Sequence, residues 1–297
     1  MYHEAVLLKE SIEGLEIKSG GVYVDATFGG GGHASEILKK IGKGSLIAFD
    51  QDEDALKNKP DDKRLILINQ NFRYMKNFLK LYRATPVDGI LADLGISSHQ
   101  IDVAERGFSV RFEGKLDLRM NRRKSLTAAR IINEYSVKRL MDIFLNYGEL
   151  SNAAKIATEI ERVRLKQTIQ TTKQLQEAVL LCVPRGQENK FFAKMFQALR
   201  IEVNDEMEAL KDLLAQSVDL LRSGGRIVII SYHSLEDRLV KNFFKSGNFE
   251  GNVEKDFYGI PKTSFRLITK KPVTPGEEEI QRNGRARSAK LRIAEKI

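Results

Sequence analysis

Three aspartates are the residues of this chain best placed to do chemistry. Asp25, Asp50 and Asp93 each close a short apolar run, namely Val22–Asp25, Ser45–Asp50 and Gly89–Asp93. A carboxylate at the end of a buried strand is expensive unless it meets a partner, so three around one crevice are hard to explain as packing. Between the first two runs lie four successive glycines, Gly29–Gly32, then His33 and a helical pattern of Ala34, Ile37, Leu38 and Ile41. Glycines let backbone approach a ligand closely, and the helix start behind them offers free N–H donors suited to a pyrophosphate or a carboxylate.

The glycine loop alone leaves two cofactors open. Gly29-x-Gly31-x-x-Ala34 fits the loose dinucleotide fingerprint, and Asp50 suits the ribose hydroxyls of a nicotinamide cofactor or of S-adenosylmethionine equally. Asp25 turns the balance. It is awkward beside a pyrophosphate but can face the cationic amino group of a methionine moiety. The segment Asp93-Leu94-Gly95-Ile96-Ser97-Ser98 follows the fourth strand, where methyltransferases of this architecture orient an acceptor. Phe72, just past the third strand, can lie against an adenine ring or serve the core. Ser231–Asp237 gathers Ser, His and acids, but they are too close together for a relay, and no G-x-S-x-G elbow accompanies them. Ser234 as a helix N-cap, with Asp237 completing an S-x-x-D box, is the simpler expectation.

The elements that must position these residues follow from the hydropathy pattern. Strands are expected at Val22–Asp25, Ser45–Asp50, Leu65–Ile68, Gly89–Asp93 and Arg226–Ile230, alternating with helices, which implies a parallel sheet covered on both faces. Ligands of such sheets bind beyond the carboxyl ends of the strands, where the three acids stand. The gap between the fourth and fifth strands is far longer than one crossover helix requires. It reads as helical: Leu126–Asn133, Val137–Tyr147, Ala153–Arg164, a helix capped by Thr171 and Gln174 and running to Val183, and an apolar stripe of Phe191, Phe192, Met195, Phe196 and Leu199. Asp205–Leu221 returns as the crossover. The fold class is therefore α/β, a Rossmann-like methyltransferase sheet with an all-helical insert between strands four and five. The domains divide as 1–107 with 204–297 for the cofactor, and 108–203 for the insert. Ser264–Thr269 and Ala289–Ala294 are expected to pair as an antiparallel edge.

Composition narrows the function classes. The 297 residues carry a formal net charge of +9, and the basic residues cluster. Arg111, Lys115, Arg119, Arg122, Arg123 and Lys124 follow Gly107, and Arg282, Arg285, Arg287, Lys290 and Arg292 lie near the C-terminus; both clusters read as surface for a polyanion's phosphates. The single Cys182 can form no internal disulfide, and His3, His33, His99 and His233 show no metal-ligand spacing, so no metal is expected. With no long apolar run and no secretory pattern at the N-terminus, a cytoplasmic location without membrane contact is expected.

Several motifs carry a family resemblance in order and spacing: His3–Leu8, Asp25–His33, Asp93–Ser98, Glu105–Ser109, Leu116–Met120, Phe196–Asn204 and Ser231–Arg238. Together, from the N-terminus to Arg285–Ser288, they resemble the bacterial 16S ribosomal RNA cytosine-N4 methyltransferase family (RsmH, or MraW). The resemblance implies S-adenosyl-L-methionine as cofactor, held by Gly31, Gly32, His33, Asp50, Phe72, Asp93 and Gln100. It also implies the small ribosomal subunit as partner and a cytidine of its decoding region as acceptor. The chain departs from the family's common pattern at Gly30, often Arg, and at His99, often Pro, which loosens the backbone beside Gln100. The chemistry expected is direct methyl transfer to the cytosine amine, with Asp93 or a nearby main-chain carbonyl drawing on one N–H. The insert and basic segments would grip the RNA backbone while a flipped base enters the crevice.

Overall fold

The computed structural model describes residues 5–255, 257, 258 and 262–297. His3 and Glu4 of the first family motif lie outside the described residues. The strands are β1 (Val22–Asp25), β2 (Ser45–Phe49), β3 (Leu65–Ile68), β4 (Val87–Asp93), β5 (Leu221–Ser231), β6 (Phe265–Leu267) and β7 (Lys290–Lys296). The helices are α1 (Leu8–Gly14), α2 (Gly32–Lys40), α3 (Met75–Leu81), α4 (Ser98–Asp102), α5 (Ala128–Glu134), α6 (Val137–Asn146), α7 (Ala153–Arg164), α8 (Thr172–Ala178), α9 (Glu188–Asn204), α10 (Glu206–Leu220), α11 (Ser234–Ser246) and α12 (Glu277–Arg282). They form two compact units, Met1–Gly95 with Met207–Ile297, and Ile96–Glu206.

The first unit is a Rossmann-like sheet in the order β3-β2-β1-β4-β5-β7-β6. β1 pairs in parallel with β2 on one side and β4 on the other, so the strand order reverses between β1 and β4. That reversal opens the crevice in which α/β sheets take their ligands. Val24, Ile47, Ile90 and Ile227 are fully buried, the near-continuous apolar character that a sheet covered on both faces demands. Leu210, Leu213 and Leu214 of α10 share a core with Ile90 and Ile229, which makes α10 the crossover into β5. β5 starts at Leu221, ahead of the expected Arg226: Leu221 pairs with Val87, and the ladder resumes only at Arg226 with Gly89. The residues between leave the register, turning at Gly224 with φ of 75°. The antiparallel edge forms as expected, Phe265 opposite Lys296 and Leu267 opposite Ala294, and β7 also closes against β5.

The second unit is helical, around Leu116, Ile131, Phe144, Ile156, Leu175, Met195 and Leu199. Its sequence begins at Ile96, ahead of 108, because Ile96, Phe108 and Val110 pack on that same core. Thr171 caps α8 and Gln174 completes the box, as the spacing predicts. The basic segment after Gly107 divides in two. Arg119 is turned inward on Asp117 at 2.7 Å and on the Arg122 carbonyl oxygen at 2.9 Å, so it holds its own loop. Arg111, Lys115, Arg122 and Arg123 are exposed. Among the described residues no helix is long and apolar enough to cross a membrane.

Candidate active site at the carboxyl edge of the sheet

The glycine loop is held by the strands around it. Phe28 N–H donates to the Phe49 carbonyl oxygen at 2.9 Å, and Gly29 N–H donates to Asp50 Oδ2 at 2.8 Å. Asp50 Oδ1 accepts from Asp52 N–H at 2.8 Å, so this acid ties the loop after β2 to the glycine turn. Gly31 caps α2 with φ of 77°, in the left-handed region that an L side chain resists. A Cβ there would stand 3.0 Å from the Phe28 ring, and one on Gly32 would stand 2.9 Å from Ala5 Cβ. These glycines leave room that side chains would fill.

Asp25 is fully buried. Its Oδ1 accepts from Thr27 N–H at 3.0 Å, while Oδ2 has no hydrogen-bond partner among the described residues. Burial pushes the carboxyl up to about 7, with the charge of Asp50 adding to the rise against the Thr27 hydrogen bond. Asp93 stands on the neighbouring strand, its N–H donating to Thr27 Oγ1 at 2.6 Å. The Tyr232 hydroxyl donates to Asp93 Oδ1 at 2.8 Å. Burial pushes Asp93 up to about 7 as well, and Asp25, Glu236 and Glu279 contribute further negative charge. His33, buried in the first turn of α2, sets Nδ1 at 3.9 Å from Asp93 Oδ2 and Nε2 at 3.2 Å from the Val6 carbonyl oxygen. Burial lowers this imidazole to about 4, so it is neutral at pH 7.

The arrangement brings together Gly31, Gly32, His33, Asp50 and Asp93, with Asp25 behind them. Phe72, in a 3₁₀ turn after β3, is half-buried and packs on the sheet's core. Asn71 beside it donates to Gln51 Oε1 at 3.0 Å, and Asn69 donates to the Asp50 carbonyl oxygen at 3.0 Å, which fixes the loops after β2 and β3 to each other. Gln100 belongs to the helical unit. There Ser97 and Gln100 form a capping box, with Gln100 Oε1 accepting from Ser97 N–H at 3.1 Å.

Two expectations are corrected. The N-cap of α11 is His233 rather than Ser234, and Glu236 rather than Asp237 completes the box. Glu236 Oε2 accepts from Tyr232 N–H at 2.9 Å and His233 N–H at 3.3 Å. Asp237 is engaged elsewhere, binding Arg292 of β7 at 2.7 Å. Arg292 is in turn buried by that pair, and Lys290 leans on the same acid at 3.5 Å, so neither is free for phosphate. Sequence reasoning also missed Tyr232 and Thr27, whose side chains hydrogen-bond Asp93. The available signal was register: Asp93 pairs with Ile230, so the residue just past β5 emerges beside the acid.

An S-adenosylmethionine fits these residues. A fully buried carboxylate oxygen without a partner is a ready acceptor for a cationic amino group, and Gly31 and Gly32 keep the adjoining space clear. A nicotinamide dinucleotide would bring its pyrophosphate against an acidic edge, which this charge distribution opposes.

Comparison with known proteins agrees with that chemistry. The family model described as the MraW methylase family matches residues 1–297. The ribosomal RNA small subunit methyltransferase H of Cytophaga hutchinsonii is 55% identical over 298 residues, covering 100% of this chain and 100% of that protein. The corresponding protein of Flavobacterium johnsoniae is 54% identical over 297 residues, covering 100% and 98%. That of Parabacteroides distasonis is 53% identical over 298 residues, again covering 100% and 98%.

Proposed function

This chain belongs to the MraW methylase family and uses S-adenosylmethionine, and we propose that it methylates the exocyclic N4 amine of a cytidine in the decoding region of small-subunit (16S) ribosomal RNA. The observation that carries the chemistry is Asp93, a half-buried carboxyl beside the strand reversal whose side chain accepts one strong hydrogen bond among the described residues, from Tyr232. The substrate reading draws on the relatives, whose names specify small-subunit ribosomal RNA.

S-adenosylmethionine, when bound, supplies a methyl group made electrophilic by the positive charge on sulfur. The chain's own residues do the rest. Asp25 Oδ2 holds the amino group of the methionine end, and the positive charge it meets draws its proton off. Gly31, Gly32 and His33 line that end, Asp50 takes the ribose hydroxyls, and Phe72 lies against the base. Gln100 is assigned to the cofactor as well. Asp93 accepts from the cytosine amine, whose lone pair is otherwise delocalised into the ring; drawing on one N–H localises that pair on nitrogen and fixes its direction. An Asp93 with a midpoint near neutrality suits a group that must take a proton at cellular pH.

The helical unit and the exposed cations Arg111, Lys115, Arg122, Arg123, Arg285 and Arg287 take the RNA backbone, and the target base is flipped into the crevice. Such contacts make binding steeply salt-dependent. The substrate places this work in the cytoplasm. The test is transfer of labelled methyl from S-adenosylmethionine to purified small subunits, followed by mass mapping of the modified nucleoside. N4-methylcytidine in the decoding region is the expected product; label on a ring carbon, on another base or on protein would refute the assignment.

A further inference from the structure

Two side chains flank the Asp93 carboxyl, one at each oxygen. Tyr232 follows the last residue of β5 and donates its hydroxyl hydrogen to Asp93 Oδ1 at 2.8 Å. His33 faces the other oxygen, with Nδ1 3.9 Å from Oδ2. Its Nε2 lies 3.2 Å from the Val6 carbonyl oxygen, which can only accept. Nε2 therefore carries the ring hydrogen, and Nδ1 of the neutral imidazole presents a lone pair. One carboxyl group thus sees a donor at one oxygen and an acceptor at the other.

We infer that Tyr232 and His33 are positioning residues that divide Asp93 between them, committing Oδ1 to the protein and Oδ2 to the cytosine amine. The inference rests on the reading of Asp93 as the amine's acceptor. In the step, the N4–H bond breaks, its electron pair stays on nitrogen, and the proton forms an O–H bond at Oδ2. The two neighbours act on opposite states of that oxygen. A lone pair at Nδ1 disfavours an ionised Oδ2 and favours one that has just received a proton. The Tyr232 hydrogen bond favours the ionised carboxyl, so that the acid is empty when the amine arrives.

The surrounding charges make Tyr232 the counterweight. Burial and then Asp25 on β1, Glu236 on α11 and Glu279 on α12 all raise the proton affinity of Asp93, and the Tyr232 hydrogen bond opposes them. Glu279 is itself fixed, accepting from Leu7 N–H at 2.8 Å, and Glu236 is held by the cap of α11. Without the hydroxyl, Asp93 would retain its proton to higher pH.

The experiment uses full-length Tyr232→Phe, which keeps the ring and removes one oxygen. The Asp93 carboxyl carbon is titrated by NMR in the ligand-free protein, and kcat on small subunits is measured from pH 6 to 9. The expected results are a carboxyl midpoint raised by about one unit, turnover at pH 7 down about fivefold, recovery to within about twofold of wild type by pH 9, and an unchanged KM for the methyl donor. An unmoved midpoint overturns the inference. So does a loss of turnover that is equal at every pH, since a merely structural tyrosine would give that. A midpoint that moves while the rate profile stays still overturns the link to catalysis. Wild-type protein that puts no label on RNA would instead refute the proposed function, and the carboxyl titration would still rule on Tyr232.

Discussion

Strand β4 carries an acid near each end, Asp88 buried and Asp93 half-buried, and the two are treated differently. Asp88, near the amino end, accepts from Val22 N–H at 2.7 Å and meets Arg222 at 3.1 Å. Beside it the Tyr23 hydroxyl accepts from Lys18 N–H at 2.7 Å. Among the described residues Asp93, at the carboxyl end, has one strong side-chain partner and a midpoint raised to about 7, and Asp25 on the neighbouring strand has an oxygen with none. Burial is nearly the same at Asp88 and Asp25, so depth does not separate structure from function here. Partner supply does: buried polar groups are ordinarily satisfied, and the Asp25 oxygen that is not, among the described residues, fits the ligand contact proposed for it.

The sharpest way to break the comparison is to exchange the two effects. Asp93→Asn should lower kcat by about 10²–10⁴-fold while leaving stability unchanged or slightly higher, because it removes an acid that burial opposes. Asp88→Ala should do the reverse. It orphans the Val22 N–H and releases Arg222, costing about 1–3 kcal/mol in urea unfolding, with turnover per folded molecule unchanged. Methyl transfer measured alongside denaturation checks both. If Asp88→Ala abolished turnover in a fully folded protein, the division between the two ends would be wrong.

The next effect is on pH. Asp25 and Asp93 bind protons more tightly folded than unfolded, with midpoints raised from 3.8 to about 7. The folded state therefore holds more protons between those values, and stability falls as pH rises from about 4 through about 7. The ceiling is about 4 kcal/mol for each acid, three pH units at about 1.4 kcal/mol apiece, before solvent and coupling reduce it. Asp25→Asn should flatten this decline in the ligand-free protein, melting higher than wild type at pH 8 and level with it at pH 4. The same variant should bind S-adenosylmethionine about tenfold more weakly, a loss of roughly 1.4 kcal/mol. A pH–stability curve unchanged by the substitution would show that the Asp25 carboxyl is satisfied in solution.

The legibility of these features in the sequence follows their range along the chain. β1 and β3 fall on the expected residues, the Thr171 box forms, and Asp25 and Asp93 end their strands while Asp50 stands one residue past β2, all from information a few residues wide. Tyr232 is 139 positions from Asp93, and nothing local to either marks the contact. It exists because β4 and β5 pair in parallel and place Asp93 against Ile230. His33 shows the same limit, since its tautomer is set by the Val6 carbonyl oxygen, 27 positions away. The N-cap at Ser234 failed for a related reason: Asp237 fits the local box, but a buried arginine arriving from β7 claims it.

Glycines sharpen the same contrast at the smallest scale. At the amino edge a Cβ on Gly44 would stand 2.1 Å from the Gly21 carbonyl oxygen, a clash with backbone that cannot yield, so that glycine serves packing. At the carboxyl edge a Cβ on Gly31 would come closest to the Phe28 ring at 3.0 Å, and a ring tip can shift by a few tenths of an ångström. Its main cost is the left-handed φ of 77°, worth about 1–2 kcal/mol for an L residue. Gly31→Ala should therefore fold, lose about that much stability, and weaken S-adenosylmethionine binding severalfold through the added methyl group, while turnover at saturating cofactor stays within about twofold of wild type. Calorimetric titration with S-adenosylhomocysteine separates the two costs. An affinity equal to wild type in a destabilised protein would make Gly31, like Gly44, a residue of the fold alone.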